Sequence, residues 1–209
     1  YDKEKLGREI KDWSDLWSED LKGKVAIPDI TTTGGPLFLS VAADKGGKAL
    51  KDDKGEAAFK ALEELKPNIV KTYSKSSDLA NMFQAGEVTV AVVVDFAIPT
   101  VKKANSNVVS VVPESGTYAN YNTVNIVKNA KNKENAYKYV NFRISTENQT
   151  VKAKSLSEAP VNKDVKLADN EVKTMTYGDV AKRAKTVDFK LVNENLKAWI
   201  DQWNKILNQ

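Results

Sequence analysis

Between Val25 and Gly116, short runs of small and β-branched residues alternate with amphipathic stretches of helical length, which predicts an α/β sheet with crossover connections. "KVAIPD" supplies the first strand, because Val25 to Ile27 is continuously apolar and Pro28 ends the ladder. A polar junction, "DITTTGG", follows it. "GPLFLSVAADKGG" then reads as a helix, with Pro36 at its first position, Leu37, Val41 and Asp44 a turn apart, and Gly46-Gly47 as its stop. Further on, "KGEAAFKALEELKPN" places Phe59, Leu62 and Leu65 on one helical face and ends at Pro67. "IVKTYS" reads as a strand, and "SSDLANMFQAGE" as a helix capped by Ser76 or Ser77 with Leu79, Met82 and Phe83 inward. Val88 to Phe96, "VTVAVVVDF", is the clearest strand, and Asn107 to Gly116 is another.

On either side of this block the pattern is less regular. "IKDWSDLWSEDLKGK" spaces Ile10, Trp13, Leu16 and Trp17 as a short helix, with Ser14 or Asp12 as its cap, ending at Gly23. Beyond Gly116 there is one strand-like run, Thr123 to Val127, then the helix "KENAYKYVNFRIS" with Ala136, Tyr139, Val140 and Ile144 on one side. The terminal helix carries a stripe of Leu196, Trp199, Ile200, Trp203, Ile206 and Leu207, which needs a core to dock on. All four tryptophans are expected to pack there or on the docking face of the first helix. Internal boundaries fall near Lys22 and between Glu114 and Tyr118, giving segments 1–21, 22–116 and 117–209.

Composition removes several function classes. The 209 residues contain no cysteine and no histidine, so thiol nucleophiles, disulfides, most zinc chemistry and Ser-His-Asp triads are absent. No enzymatic activity is expected. The 32 basic residues are scattered and nearly matched by 28 acidic ones, so the net charge of +4 outlines no nucleic-acid footprint. No apolar run approaches the roughly 20 residues that a membrane helix needs.

Taken in order, "WSDLWSEDLKGKVAIPD", "FKALEELKPNIVKTYSKSSDLANMFQAGEVTVAVVVD" and "VVSVVPESGTYANYNTVNIVKNAKNKENAYKYVNF" resemble the central and C-terminal part of an ABC importer's extracellular solute-binding protein. The likeness is closest to the spermidine/putrescine-binding branch. It implies an α/β, type 2 periplasmic-binding-protein architecture, with residues 22–116 as one nearly complete α/β lobe and 1–21 and 117–209 as the later part of the other. Family members carry a long further segment before "DLW" that builds much of the first lobe, so this chain reads as a fragment unable to close a full cleft by itself. The implied partners are a small-molecule solute and membrane permease subunits, with no nucleic acid and no cofactor. The implied state is a full-length monomer, in the periplasm or as a cell-surface lipoprotein. The LysR-type regulators, whose effector-binding domain has the same fold type, are the main alternative class.

In an open α/β lobe, ligands sit at the carboxyl ends of strands, which makes "PDITTTGG" the first candidate, with Asp29, Thr31, Thr32, Thr33 and Gly34 at the start of a helix. One threonine as a plain helix cap is the structural alternative. The resemblance adds Asp95 after the Val88 strand, Asn120, Tyr121 and Asn122 on the returning segment, and Glu158 in "LSEAPVN". It also weakens a polyamine reading. The turn's two family carboxylates correspond to Ile30 and Thr33, the aromatic platform to Val94, and the family's Trp and Asp to Asn120 and Asn122. The expected solute is therefore anionic or neutral, with a polyamine as the alternative. In another branch of the fold paired tyrosines hold ferric iron; Tyr118 and Tyr121 are not adjacent and have no histidine beside them, so no metal is assigned.

Overall fold

A computed structural model describes residues 1–172 and 175–207 of the chain. The chain starts with the helical turn α1 (Lys3–Leu6) and passes through two 3-10 turns, Trp13–Trp17 and Glu19–Leu21, where a single short helix was expected. Asp12 caps the first of these: its carboxylate accepts from the Ser14 amide, and Asp15 reaches back to the Asp12 amide. Strand β1 (Val25–Pro28) leads into α2 (Gly34–Gly46), α3 (Leu50–Asp53) and α4 (Glu56–Leu65), then β2 (Ile69–Tyr73), α5 (Ser76–Ala85), β3 (Val90–Ala91) and α6 (Ile98–Ala104).

These three strands form a parallel sheet in the order β2-β1-β3. Strand β1 is in the middle and is covered on both faces, which explains why its apolar run is continuous rather than alternating. Val25 and Ile27 join the core cluster that contains Phe38, Phe59 and Leu62 from α2 and α4, whereas Ala26 joins Leu79, Met82, Phe83 and Val101 from α5 and α6. Side chains two apart in a strand share a face, so this division follows from the strand period itself. Helix α2 is buried from Gly34 to Ala43, and its C-terminus closes on Gly47 in the left-handed region, with the Gly47 amide on the Ala43 and Asp44 carbonyls.

The rest of the chain comprises β4 (Thr117–Ala119), α7 (Lys133–Arg143), α8 (Thr146–Leu156), α9 (Asp169–Val172), α10 (Asp179–Lys182), β5 (Ala184–Thr186) and α11 (Phe189–Leu207). β4 and β5 pair in parallel as a separate two-stranded sheet. Helix α11 returns to the first core, where Trp199, Trp203 and Ile206 are buried and the Trp199 indole N–H donates to the Lys54 carbonyl at 2.7 Å. Trp13 and Trp17 are half-buried against the same core and donate to the Gly116 and Ala61 carbonyls, each at 2.8 Å.

Several expected elements differ. Lys75, not Ser76 or Ser77, occupies the N-cap position of α5 and makes no side-chain cap. Of Val88 to Phe96 only Val90–Ala91 is ladder, and Asp95–Ala97 turns into a 3-10 helix. Asn107 to Gly116 forms no strand; its one pairing is an isolated bridge between Val108 and Asp2. Thr123 to Val127 also forms none, as no described strand lies beside it.

Candidate functional site

The strand order builds a crevice. From β1 the chain steps to β2 on one side and then returns to β3 on the other, so the carboxyl ends of β1 and β3 are where an open α/β sheet splays its connections apart. At the end of β1 the turn folds onto itself. The Asp29 amide donates to the Tyr73 carbonyl at 2.8 Å, the Asp29 carboxylate accepts from both the amide and the hydroxyl of Thr31, and the Thr32 hydroxyl donates to the Asp29 carbonyl at 2.7 Å. Asp29, Thr31 and Thr32 thereby shape the turn.

Gly35 sets how near the helix start lies to the strand. A Cβ there would collide with the backbone of Asp29 and Ile30, a contact no side-chain movement relieves. A Cβ on Gly34 would sit 3.0 Å from Pro28 and 3.5 Å from Val94, so the first turn of α2 lies between the ends of β1 and β3. Thr33 stands before it with its side chain making no cap.

On the β3 side, Val92 continues the pairing by donating to the Ala26 carbonyl at 3.0 Å, and the Tyr73 hydroxyl crosses from β2 to the Val92 carbonyl at 2.7 Å. Burial pushes the Tyr73 phenol far above its ordinary range, so it remains a donor. Asp95 then receives the amide and hydroxyl of Thr176, both at 3.3 Å, and so joins the edge of β3 to chain 81 residues away.

A cavity of about 640 Å³ opens at this place. From the expected set, Thr33, Gly34, Asp95, Asn120, Tyr121, Asn122 and Glu158 line it, whereas Asp29, Thr31 and Thr32 do not. Two cations that the sequence did not single out also line it: Lys152 and Arg143. The Lys152 ammonium lies 2.6 Å from the Glu158 carboxylate, with the lysine side chain only 17% exposed. Arg143, in the last turn of α7, is half-buried, and its guanidinium makes no hydrogen bond or ion pair among the described residues. A signal for it existed. The chain has only three arginines among its 32 basic residues, and the other two have partners, Arg8 gripping Asp20 at 2.7 and 3.0 Å and Arg183 reaching the Val112 carbonyl at 3.4 Å. In a lysine-rich chain an arginine supplies a planar donor fork that the lysines lack.

Tyr118 also lines the cavity, but its hydroxyl donates to Asp44 at 2.9 Å. Burial first, and the Asp44 carboxylate second, hold that phenol well above its ordinary range. A protonated phenol engaged elsewhere is a poor ferric ligand, which weakens the paired-tyrosine reading.

A covered α/β lobe with a polar crevice at its strand-order switch, walled on the other side by chain returning through a second small sheet, is the layout of a solute receptor. The chain belongs to the bacterial extracellular solute-binding protein family, whose model matches residues 1–177. A solved ABC transporter structure from Clostridium perfringens is 56% identical with a TM-score of 0.89, covering 99% of this chain and 65% of that one. The spermidine/putrescine-binding periplasmic protein of Escherichia coli is 29% identical over 136 residues, which is 65% of this chain and 38% of that protein. The spermidine/putrescine substrate-binding protein of Streptococcus pneumoniae shares the fold at 19% identity, with a TM-score of 0.73 over 99% of this chain and 65% of that one. The chain thus spans just under two thirds of these solved relatives and well under half of the curated protein. The family and these likenesses favour solute binding over the LysR-type alternative.

Proposed function

We propose that this chain forms the larger part of the substrate-binding component of a bacterial ABC importer, and that its crevice takes a small solute bearing a carboxylate, phosphate or phosphonate group. The observation that carries the ligand class is the state of the charges. Asp29 is engaged by its own turn, Asp95 by Thr176, and Glu158 by Lys152, while the Arg143 guanidinium has no partner among the described residues. A dicationic solute would have to displace the Thr176 bonds of Asp95 or the Lys152 pair of Glu158, whereas an anion finds a planar donor fork suited to two-point binding. Asn120 and Asn122 supply neutral donors and acceptors, and the exposed Tyr121 an aromatic wall.

On this reading residues 22–116 act as one lobe, the segments 1–21 and 117–209 belong to the other except that Leu16, Leu21 and helix α11 pack into the core of the first, and β4 and β5 lie at the crossing. The protein performs no chemistry; it works outside the cytoplasmic membrane as a monomer and hands its solute to a permease. Closure then requires that the solute contact both lobes and so favour the closed state.

Calorimetric titration together with thermal melting tests the ligand class, using dicarboxylates, amino acids and aminoalkylphosphonates against putrescine and spermidine. An anionic solute at 100 times its Kd is expected to stabilise the chain by about 2.7 kcal/mol. Arg143→Gln is expected to weaken that binding about tenfold or more. Binding of the polyamines but not the anions, indifferent to Arg143→Gln, would overturn the assignment.

A further inference from the structure

Tyr118 lines the crevice, yet its side chain is held from outside it. The hydroxyl donates to Asp44 Oδ2 at 2.9 Å, the Lys185 ammonium donates to the same oxygen at 2.8 Å, and that ammonium lies 5.5 Å from the centre of the Tyr118 ring. Side chains from α2, β4 and β5 thus close on one another. Asp44 and Lys185, each about half exposed, are not among the described residues that line the cavity. A pair so exposed adds little to stability, so its effect is to orient what it holds. Both ends of the linkage lead to the crevice. In α2, Thr33, Leu37 and Val41 line the cavity four residues apart and Asp44 follows on the same helical face, so a rigid element joins the carboxylate to the turn after β1. At the root of β4, the Trp13 indole donates to the Gly116 carbonyl at 2.8 Å, and a Cβ on Gly116 would lie 2.9 Å from the Arg183 carbonyl, so β4 starts pressed against the start of β5. Pinned at its root by Trp13 and at its centre by Asp44, β4 runs directly into Asn120, Tyr121 and Asn122 of the cavity wall. Among the described residues the Tyr121 and Asn122 amides donate no hydrogen bond, so their placement depends on what holds the strand before them.

We propose that Asp44, braced by Lys185, is a positioning residue of the crevice: through the Tyr118 hydroxyl it fixes the wall of Asn120, Tyr121 and Asn122 relative to the start of α2, while touching no solute itself. The inference rests on the reading of the crevice as a solute site, and adds that affinity is set in part from outside the cavity. Removing the carboxylate frees the tyrosine hydroxyl and the ammonium together, whereas removing the hydroxyl frees the strand and leaves the ion pair in place. If Asp44 acts through Tyr118, the two losses have the same consequence and do not add.

The test compares Asp44→Ala, Asp44→Asn and Tyr118→Phe in the isotope-labelled full chain, first without solute and then titrated with succinate, glutamate and aminoethylphosphonate. Without solute, the backbone amide resonances of Tyr121 and Asn122 are expected to move alike in Asp44→Ala and Tyr118→Phe, and to stay near the parent positions in Asp44→Asn, which keeps an acceptor for the hydroxyl. Calorimetry with whichever probe binds the parent is expected to show Kd weakened by about threefold to tenfold in Asp44→Ala and in Tyr118→Phe, no further in the double variant, and recovered in Asp44→Asn. Should no probe bind the parent, the assigned solute class fails, and the resonances decide on Asp44 without it. The proposal is overturned if Asp44→Ala leaves those resonances in place, or leaves Kd unchanged for a probe that binds. Weakening that adds up in the double variant would overturn it too, as would an Asp44→Ala melting temperature well below the parent's, which would make the carboxylate a prop of the fold rather than of the wall.

Discussion

At the scale of single residues, the site depends on atoms that are missing as much as on those present. Gly35 lets α2 begin against the end of β1, and Gly35→Ala is expected to cost about 1–3 kcal/mol because a methyl group would meet backbone rather than a movable side chain. Urea unfolding measures it; an unchanged midpoint would mean that the helix start is not held as close as its contacts imply. That "PDITTTGG" joins a strand end to a helix start was legible from sequence, since strand end, turn and helix start are consecutive in the chain. How its residues divide their labour was not legible. Asp29 and Thr31 bond to one another, and nothing in a run of three threonines says that the first two serve the turn while the third faces the cavity. Arg143 and Lys152 were harder still. Chain segments far apart in sequence meet at the cavity, and only the folded path brings them to Asp95 and Thr33.

Among the elements, helices could be read from the sequence and strands only in part, for a physical reason. A helix satisfies its own backbone, so a 3.6-residue stripe and a stop signal suffice, as for α2, α4, α5 and α11. A strand exists only with a neighbour. Val25–Pro28, with two β-branched residues, has one on each side and forms, whereas Thr123–Val127, with four, has none among the described residues and does not. The terminal helix shows the converse, a stripe that could be trusted because it reports burial directly. Trp199 is 2% exposed and bonded to Lys54, so Trp199→Ala is expected to cost about 3–5 kcal/mol. Chemical denaturation showing a loss below about 1 kcal/mol would mean that α11 is not integral to the lobe's core.

Across the whole molecule, the two sheets are joined through few polar contacts. Asp44, at the end of α2, accepts from the Tyr118 hydroxyl of β4 at 2.9 Å and from the Lys185 ammonium of β5 at 2.8 Å, which ties both short strands to the larger lobe. Asp44 and Lys185 are about half exposed, so their pair contributes only about 0–1 kcal/mol to global stability. Its effect is local. Asp44→Ala is expected to leave the unfolding midpoint nearly unchanged while amides of Thr117–Ala119 and Ala184–Thr186 exchange faster, as read by mass spectrometry; equal exchange in variant and parent would show that other contacts hold the strand pair. The same sheet arrangement bears on how the chain is made. Strand β1 is the earliest of its three strands to leave the ribosome, yet both its ladder partners lie later in the sequence, and Val25, Ala26 and Ile27 end with no exposure at all. The most water-averse strand of the molecule must therefore wait for more than sixty further residues of translation, Ile69 to Val90 included, before its ladders can form, which places its main aggregation hazard during synthesis rather than in the finished fold.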